Sequence, residues 1–215
     1  MAEKKITITV SKTIGKVSGK VIEATKPKAV LVLAHGAGAG MDHPFMKQLA
    51  EALAEQGIST LRYQFPYMEQ KRGRPDTPLV AIKAVEAAVA KAGELFPKLP
   101  ILAGGKSFGG RMSSHWVSAA QPEAVRGLVY FGFPLHKPGT PSIDRAEHLY
   151  AINAPMLFLQ GTRDALADLT SLKKVCKKLK SSTLITFEGA DHSFKAGKEN
   201  LIPKLAEATR KWIDG

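Results

Sequence analysis

The chain has 215 residues, 44% of them hydrophobic, and carries 31 Lys and Arg against 19 Asp and Glu, a net charge of +12. That length favours one domain with a full core, and no apolar run is long enough to span a bilayer. The single cysteine, Cys176, excludes an internal disulfide and suits a reducing compartment, so a cytoplasmic protein is expected.

The start runs straight into an alternating stretch, Ile6–Val10, which reads as a strand rather than a signal peptide. Lys20–Glu23 would pair with it. Ala29–Ala34 is continuously apolar, as expected of a strand buried on both faces. Phe45, Met46, Leu49 and Leu53 recur at helical spacing and stop at Gly57. Ile58–Tyr63 is the next strand. Ile82, Val85 and Val89 mark a helix, and Ile101–Ala103 a short strand before a helical stretch from Arg111 to Ala120. Leu128–Phe131, Met156–Leu159 and Leu184–Phe187 complete the strands, and Leu201, Leu205, Ala208 and Trp212 a closing helix. Strand–helix alternation after an opening hairpin implies a mostly parallel sheet wrapped by helices. Two long connections, Phe65–Thr77 and Phe133 to about His148, follow strand ends where ligands bind in such sheets.

The basic run Lys173–Lys180 has Leu169, Leu172, Cys176 and Leu179 at helical spacing through it. Its lysines therefore read as the solvated face of a packed helix.

The stretch Gly104-Gly105-Lys106-Ser107-Phe108-Gly109-Gly110 can be read in two ways. A Walker loop would need glycine at position 100, where Pro100 stands and offers no backbone N–H. A nucleophile elbow, G-x-S-x-G, fits at every position and has the required strand before it and helix after it. A serine nucleophile needs a base, and the base needs a carboxylate, in the chain order Ser, Asp/Glu, His. Asp164 follows the end of Met156–Leu159, and His192 follows Leu184–Phe187. Asp168 is the rival acid, placed inside the predicted helix, and Asp191 lies too close to His192 in sequence. His136 is the rival base, and His115 reads as a packing residue. Oxyanion donors are expected from the amide of Phe108 and from the loop His35-Gly36-Ala37-Gly38, with Ala37 the choice and Gly38 the alternative.

These segments resemble the α/β-hydrolases, and within them the small dienelactone-hydrolase-like predicted hydrolases of the testis-expressed protein 30-like group. The resemblance rests on HGAGAGMDHPFM (35–46), RYQFPY (62–67), GGKSFGGRM (104–112), FGFPLH (131–136), QGTRD (160–164) and GADHSF (189–194). It implies one α/β-hydrolase domain over 1–215, an eight-stranded sheet and a Ser107-Asp164-His192 triad. Dienelactone hydrolases proper use cysteine where this chain has serine.

About twenty residues separate Leu128–Phe131 from Met156, too few for a cap domain. An open site edged by Phe65, Tyr67, Phe133, His136 and Phe194 is expected. Lys71, Arg72 and Arg74 would overhang it, Lys106 and Arg111 flank the elbow and Lys195 follows His192; those that converge would favour esters bearing a carboxylate or phosphate. The expected activity is serine carboxylesterase chemistry with no metal or organic cofactor. Its substrate would be a small ester, and no membrane partner is expected. A non-catalytic scaffold and a nucleic-acid-associated protein are the alternatives, the latter prompted by charge alone, with no RNA- or DNA-binding motif.

Overall fold

The computed structural model describes residues 2–215. Eight strands form one sheet in the order β1-β2-β4-β3-β5-β6-β7-β8. They are β1 (Glu3–Ser11), β2 (Gly15–Ile22), β3 (Ala29–Ala34), β4 (Ile58–Tyr63), β5 (Ile101–Lys106), β6 (Val125–Phe131), β7 (Met156–Gly161) and β8 (Ser182–Phe187). β1 pairs antiparallel with β2, and β2 antiparallel with β4; every other pairing is parallel.

The sheet has a core on each face, which explains why β3 is apolar throughout and wholly buried. Against one face lie α3 (Pro78–Leu95), α4 (Phe108–Ala120) and α5 (Leu169–Lys178), contributing Val85, Met112 and Leu172. Against the other lie α1 (Pro44–Glu55) and α6 (Ile202–Asp214), contributing Met46, Leu49 and Leu205. α1 starts where Pro44 presets the helical φ behind His43, whose ring accepts the amide of Phe45 at 3.2 Å. On α5, Leu172, Val175 and Cys176 face inward, and Lys173, Lys174, Lys177 and Lys178 are exposed.

Several boundaries differ from the sequence expectation. β2 begins at Gly15 rather than Lys20, because its Lys and Ser residues are the outward positions of a true alternation. β5 runs on through Gly104 and Gly105 to Lys106, glycines that would ordinarily end a strand. The connection after β4 holds a short helix, α2 (Pro66–Glu69), and the one after β6 holds a 3-10 helix, Asp144–Ala151, and no cap domain. A two-residue hairpin, β9 (Lys195–Ala196) with β10 (Glu199–Asn200), was not foreseen, since strands that short carry no periodicity. Among the described residues no helix is long and apolar enough to cross a membrane.

Candidate active site

Ser107 sits between β5 and α4 with φ 50° and ψ −114°, a conformation that L-residues avoid. The strain is tolerated because the surrounding backbones interlock. A Cβ on Gly105 would lie 2.1 Å from the carbonyl oxygen of Ala34, and one on Gly109 would lie 2.6 Å from the same atom. Only glycine permits that approach at either position.

The serine's partners come from the carboxyl ends of β7 and β8. His192 Nε2 is 2.8 Å from Ser107 Oγ, and its Nδ1 is 2.7 Å from Asp164 Oδ2. A carboxylate only accepts, so Nδ1 carries the proton and Nε2 is left to accept from the serine hydroxyl. Asp164 is itself fixed. Its Oδ1 accepts the Leu166 amide at 2.8 Å, and its Oδ2 also accepts Gln160 Nε2 at 2.6 Å. Gln160 is fully buried and accepts the amide of Phe133 through Oε1 at 2.9 Å. The His192 loop is shaped by Asp191, whose Oδ1 accepts the amides of Ser193 at 2.8 Å and Lys195 at 2.9 Å.

The amides of Ala37 and Phe108 donate to no acceptor among the described residues. The Gly38 amide, the alternative to Ala37, is taken by the Tyr67 hydroxyl at 2.8 Å. The glycine loop lies against the elbow: a Cβ on Gly36 would stand 3.9 Å from Ser107 Cβ.

The rivals are accounted for. Asp168 lies outside the helix, as the N-cap of α5, and accepts the Ser171 amide at 2.7 Å. Those bonds to Ser171 hold its carboxyl below the usual range. His136 is buried, with Nε2 accepting the Asp168 amide at 2.9 Å and Nδ1 donating to the Lys137 carbonyl at 2.7 Å. Both its nitrogens are occupied, so it braces the loop after β6, and it does not line the cavity beside Ser107. His115 stacks on His148 at 3.6 Å between ring centroids and does not line the cavity beside Ser107.

Most of the expected rim lies elsewhere. Phe65, Tyr67 and Phe133 are wholly buried, because the apolar pattern after β4 and β6 packs inward. Phe65 sits edge-on to His35 and Phe108, and Tyr67 serves the glycine loop from beneath. Arg72 is spent on Asp76, to which its Nη2 donates at 2.6 Å, and Arg74 is exposed on the same segment. Neither arginine lines the cavity at the serine. Phe194 does. It is held at φ 59° two residues after His192, with its ring stacked on Phe45 at 6.0 Å.

That cavity, about 700 Å³, opens beside Ser107 and His192 between the start of α1, the β9–β10 hairpin and the start of α6. Its apolar wall includes Phe45, Met46, Phe194, Leu201 and Ile202. Sequence reasoning missed this side because the hairpin was invisible to it. It also missed Gln160, although a glutamine at the end of an otherwise apolar strand was a usable signal. No cluster of three metal-ligating side chains occurs among the described residues.

His35 joins the glycine loop to the 65–77 segment. Its Nδ1 donates to the Gly36 carbonyl at 2.7 Å, and its Nε2 accepts the Phe65 amide at 3.1 Å. Burial lowers its pKa from 6.5 to about 4. The unfolded chain therefore takes up a proton that the folded chain refuses between those values. Stability is complete above pH 6.5 and falls as pH drops toward 4, by about 3 kcal/mol from His35 alone. Burial lowers His148 likewise, to about 3, in the same direction. Urea unfolding at pH 7.5 and pH 4.5 should show the loss, and His35→Gln should show a smaller one. A His35→Gln variant with the full wild-type acid sensitivity would refute the assignment.

Comparison with known proteins agrees with this architecture. The family model described as "Alpha/beta hydrolase domain" matches residues 27–212. A dienelactone hydrolase from Anabaena variabilis superposes with a TM-score of 0.78 at 20% identity, covering 99% of this chain and 97% of that one. A serine hydrolase without lid from Xanthomonas campestris superposes with a TM-score of 0.76 at 19% identity, covering 100% and 97%. A curated Mycobacterium tuberculosis protein named "Putative phosphoribosyl transferase" is 27% identical over 196 residues. That match takes in 88% of this chain but only 42% of the relative, so the chain spans less than half of that protein's length.

Proposed function

The chain belongs to the alpha/beta hydrolase domain family, and on that premise we propose that it is a serine hydrolase of carboxylic esters that works through an acyl-enzyme on Ser107. The observation that carries this reading is the continuous line of bonds from Ser107 Oγ to His192 at 2.8 Å and from His192 to Asp164 at 2.7 Å.

In the reaction, Ser107 Oγ attacks the ester carbonyl while His192 Nε2 takes its proton. Negative charge develops on the carbonyl oxygen, where the amides of Ala37 and Phe108 receive it. Asp164 holds the imidazole in the accepting tautomer and stabilises the imidazolium. Collapse breaks the bond to the leaving oxygen, which departs as an alcohol with the proton from His192. Water then attacks the acyl-serine, giving its proton to His192, and the acid leaves as Ser107 recovers its own. Amides that need no reorganisation at the moment of charge development account for much of the rate expected of such a site.

Esters suit this site better than substrates that demand full enclosure, since the cavity is open and no cap covers it. The buried, unpaired Cys176 supports a reducing, cytoplasmic setting.

The test is chemical. A fluorophosphonate probe should label the protein at one site, and Ser107→Ala should abolish labelling while leaving the melting curve near that of the wild type. Labelling that survives Ser107→Ala would end this reading, as would a wild type that neither reacts nor hydrolyses any ester from two to ten acyl carbons.

A further inference from the structure

The wall of the site cavity contains an ammonium group that the ester chemistry does not use. Lys106 ends β5, directly before the nucleophile. Its Nζ lies beside Gly132, where a Cβ would stand 3.1 Å from it. Nζ donates to the His192 carbonyl at 2.6 Å and lies 5.6 Å from the centre of the Phe194 ring. It lines the cavity, and burial lowers its pKa to about 8, so it stays largely cationic at neutral pH.

A confined cation ordinarily has a carboxylate partner. Lys106 has none within 4 Å among the described residues. The acids nearby are already committed. Asp164 is held by His192, Gln160 and the Leu166 amide, Asp191 by the amides of its own loop, and Glu199 pairs with Lys204 at 2.5 Å. Two further lysines on the same cavity, Lys195 and Lys198 of the hairpin, also have no carboxylate partner within 4 Å among the described residues. The cavity therefore joins an apolar wall to an ammonium that has no directly paired carboxylate, with Asp164 and Asp191 acting on it only at longer range. An ammonium has three donors, and one carbonyl uses only one of them.

We propose that this cavity selects esters whose apolar body carries a carboxylate or similar anion, received by Lys106 and supported by Lys195 and Lys198. The inference rests on the serine-hydrolase reading. Of the cations expected near the site, it keeps Lys106 and Lys195, adds Lys198, and leaves out Lys71, Arg72, Arg74 and Arg111, which do not line the cavity.

Two matched substrate pairs test it, one with the charge on the acyl arm and one with it on the leaving arm. They are p-nitrophenyl hexanoate against mono-p-nitrophenyl adipate, and methyl 4-acetoxybenzoate against 4-acetoxybenzoate. In at least one pair, kcat/KM corrected for spontaneous hydrolysis should favour the anion by about tenfold or more at low salt. The preference should shrink in 0.5 M NaCl. Lys106→Met also removes the bond to the His192 carbonyl, so total activity should fall; the reading is the anion-to-neutral ratio within each variant. That ratio should approach one in Lys106→Met, remain in Lys106→Arg, and drop part of the way in Lys195→Ala/Lys198→Ala. Equal rates within both pairs for the wild type overturn the proposal without touching the hydrolase reading. So does a preference that Lys106→Met leaves unchanged. If Lys106→Met does not fold, an undiminished preference in Lys195→Ala/Lys198→Ala at low salt overturns it, and a reduced one supports it. Hydrolysis of no member, with Ser107 unlabelled by fluorophosphonate, defeats both readings together.

Discussion

Ser107→Ala should lower kcat for a short-chain ester by about 10⁴-fold or more, and His192→Ala should do nearly the same. The double variant should be little worse than either single one. The reason is visible in the 2.8 Å bond between them: the base has nothing to activate without the hydroxyl, and the hydroxyl is inert without the base. Residual rate would come from the amides of Ala37 and Phe108, which neither substitution removes. Steady-state kinetics on the three variants, with melting curves to show intact folds, make the check. Additive losses, or a Ser107→Ala variant that keeps most of its activity, would mean that the ester is cleaved elsewhere.

Asp164→Asn should cost about 10⁴-fold in kcat, with little change in KM. An asparagine amide placed at Oδ2 would donate to His192 Nδ1 and turn the hydrogen of the imidazole toward Ser107, where an acceptor is needed. The same amide would face Gln160 Nε2, which now bonds to Oδ2 at 2.6 Å. Two donors would then meet without an acceptor in a buried place, so a stability loss of about 1–3 kcal/mol should accompany the kinetic one. Asp168→Asn is the control. Asparagine caps a helix as well as aspartate does, so both activity and melting temperature should stay near the wild type. Stopped or continuous ester assays and urea melts on the two variants decide it, and damage from Asp168→Asn rather than Asp164→Asn would reverse the assignment.

Much of the site was legible because its signals are local. The elbow must be glycine at Gly105 and Gly109, since backbone stands within 3 Å of any Cβ there, and that requirement is written into five consecutive letters. Asp164 and His192 were placed by chain order and by strand ends, which apolar runs reveal. What failed was the rim. Phe65, Tyr67 and Phe133 were expected to meet substrate, but an aromatic after a strand end reads the same whether it turns outward or inward. Arg72 was expected at the site because sequence shows its charge and hides Asp76, the partner that holds it.

The sequence by itself determined the parallel sheet, the two faces of the core, the strained serine and the order of its partners. Each depends on period, on glycine or on position relative to a strand end, and these are properties of neighbours in the chain. Only the tertiary structure decided which side of Ser107 is open, which of two amides is free, and which cations lack a partner. The Gly38 amide is occupied because Tyr67 reaches it from twenty-nine residues away, and Lys106 meets the carbonyl of His192 across eighty-six. Contacts of that separation are set by how the helices and loops stack on the sheet, and no run of neighbouring residues records them.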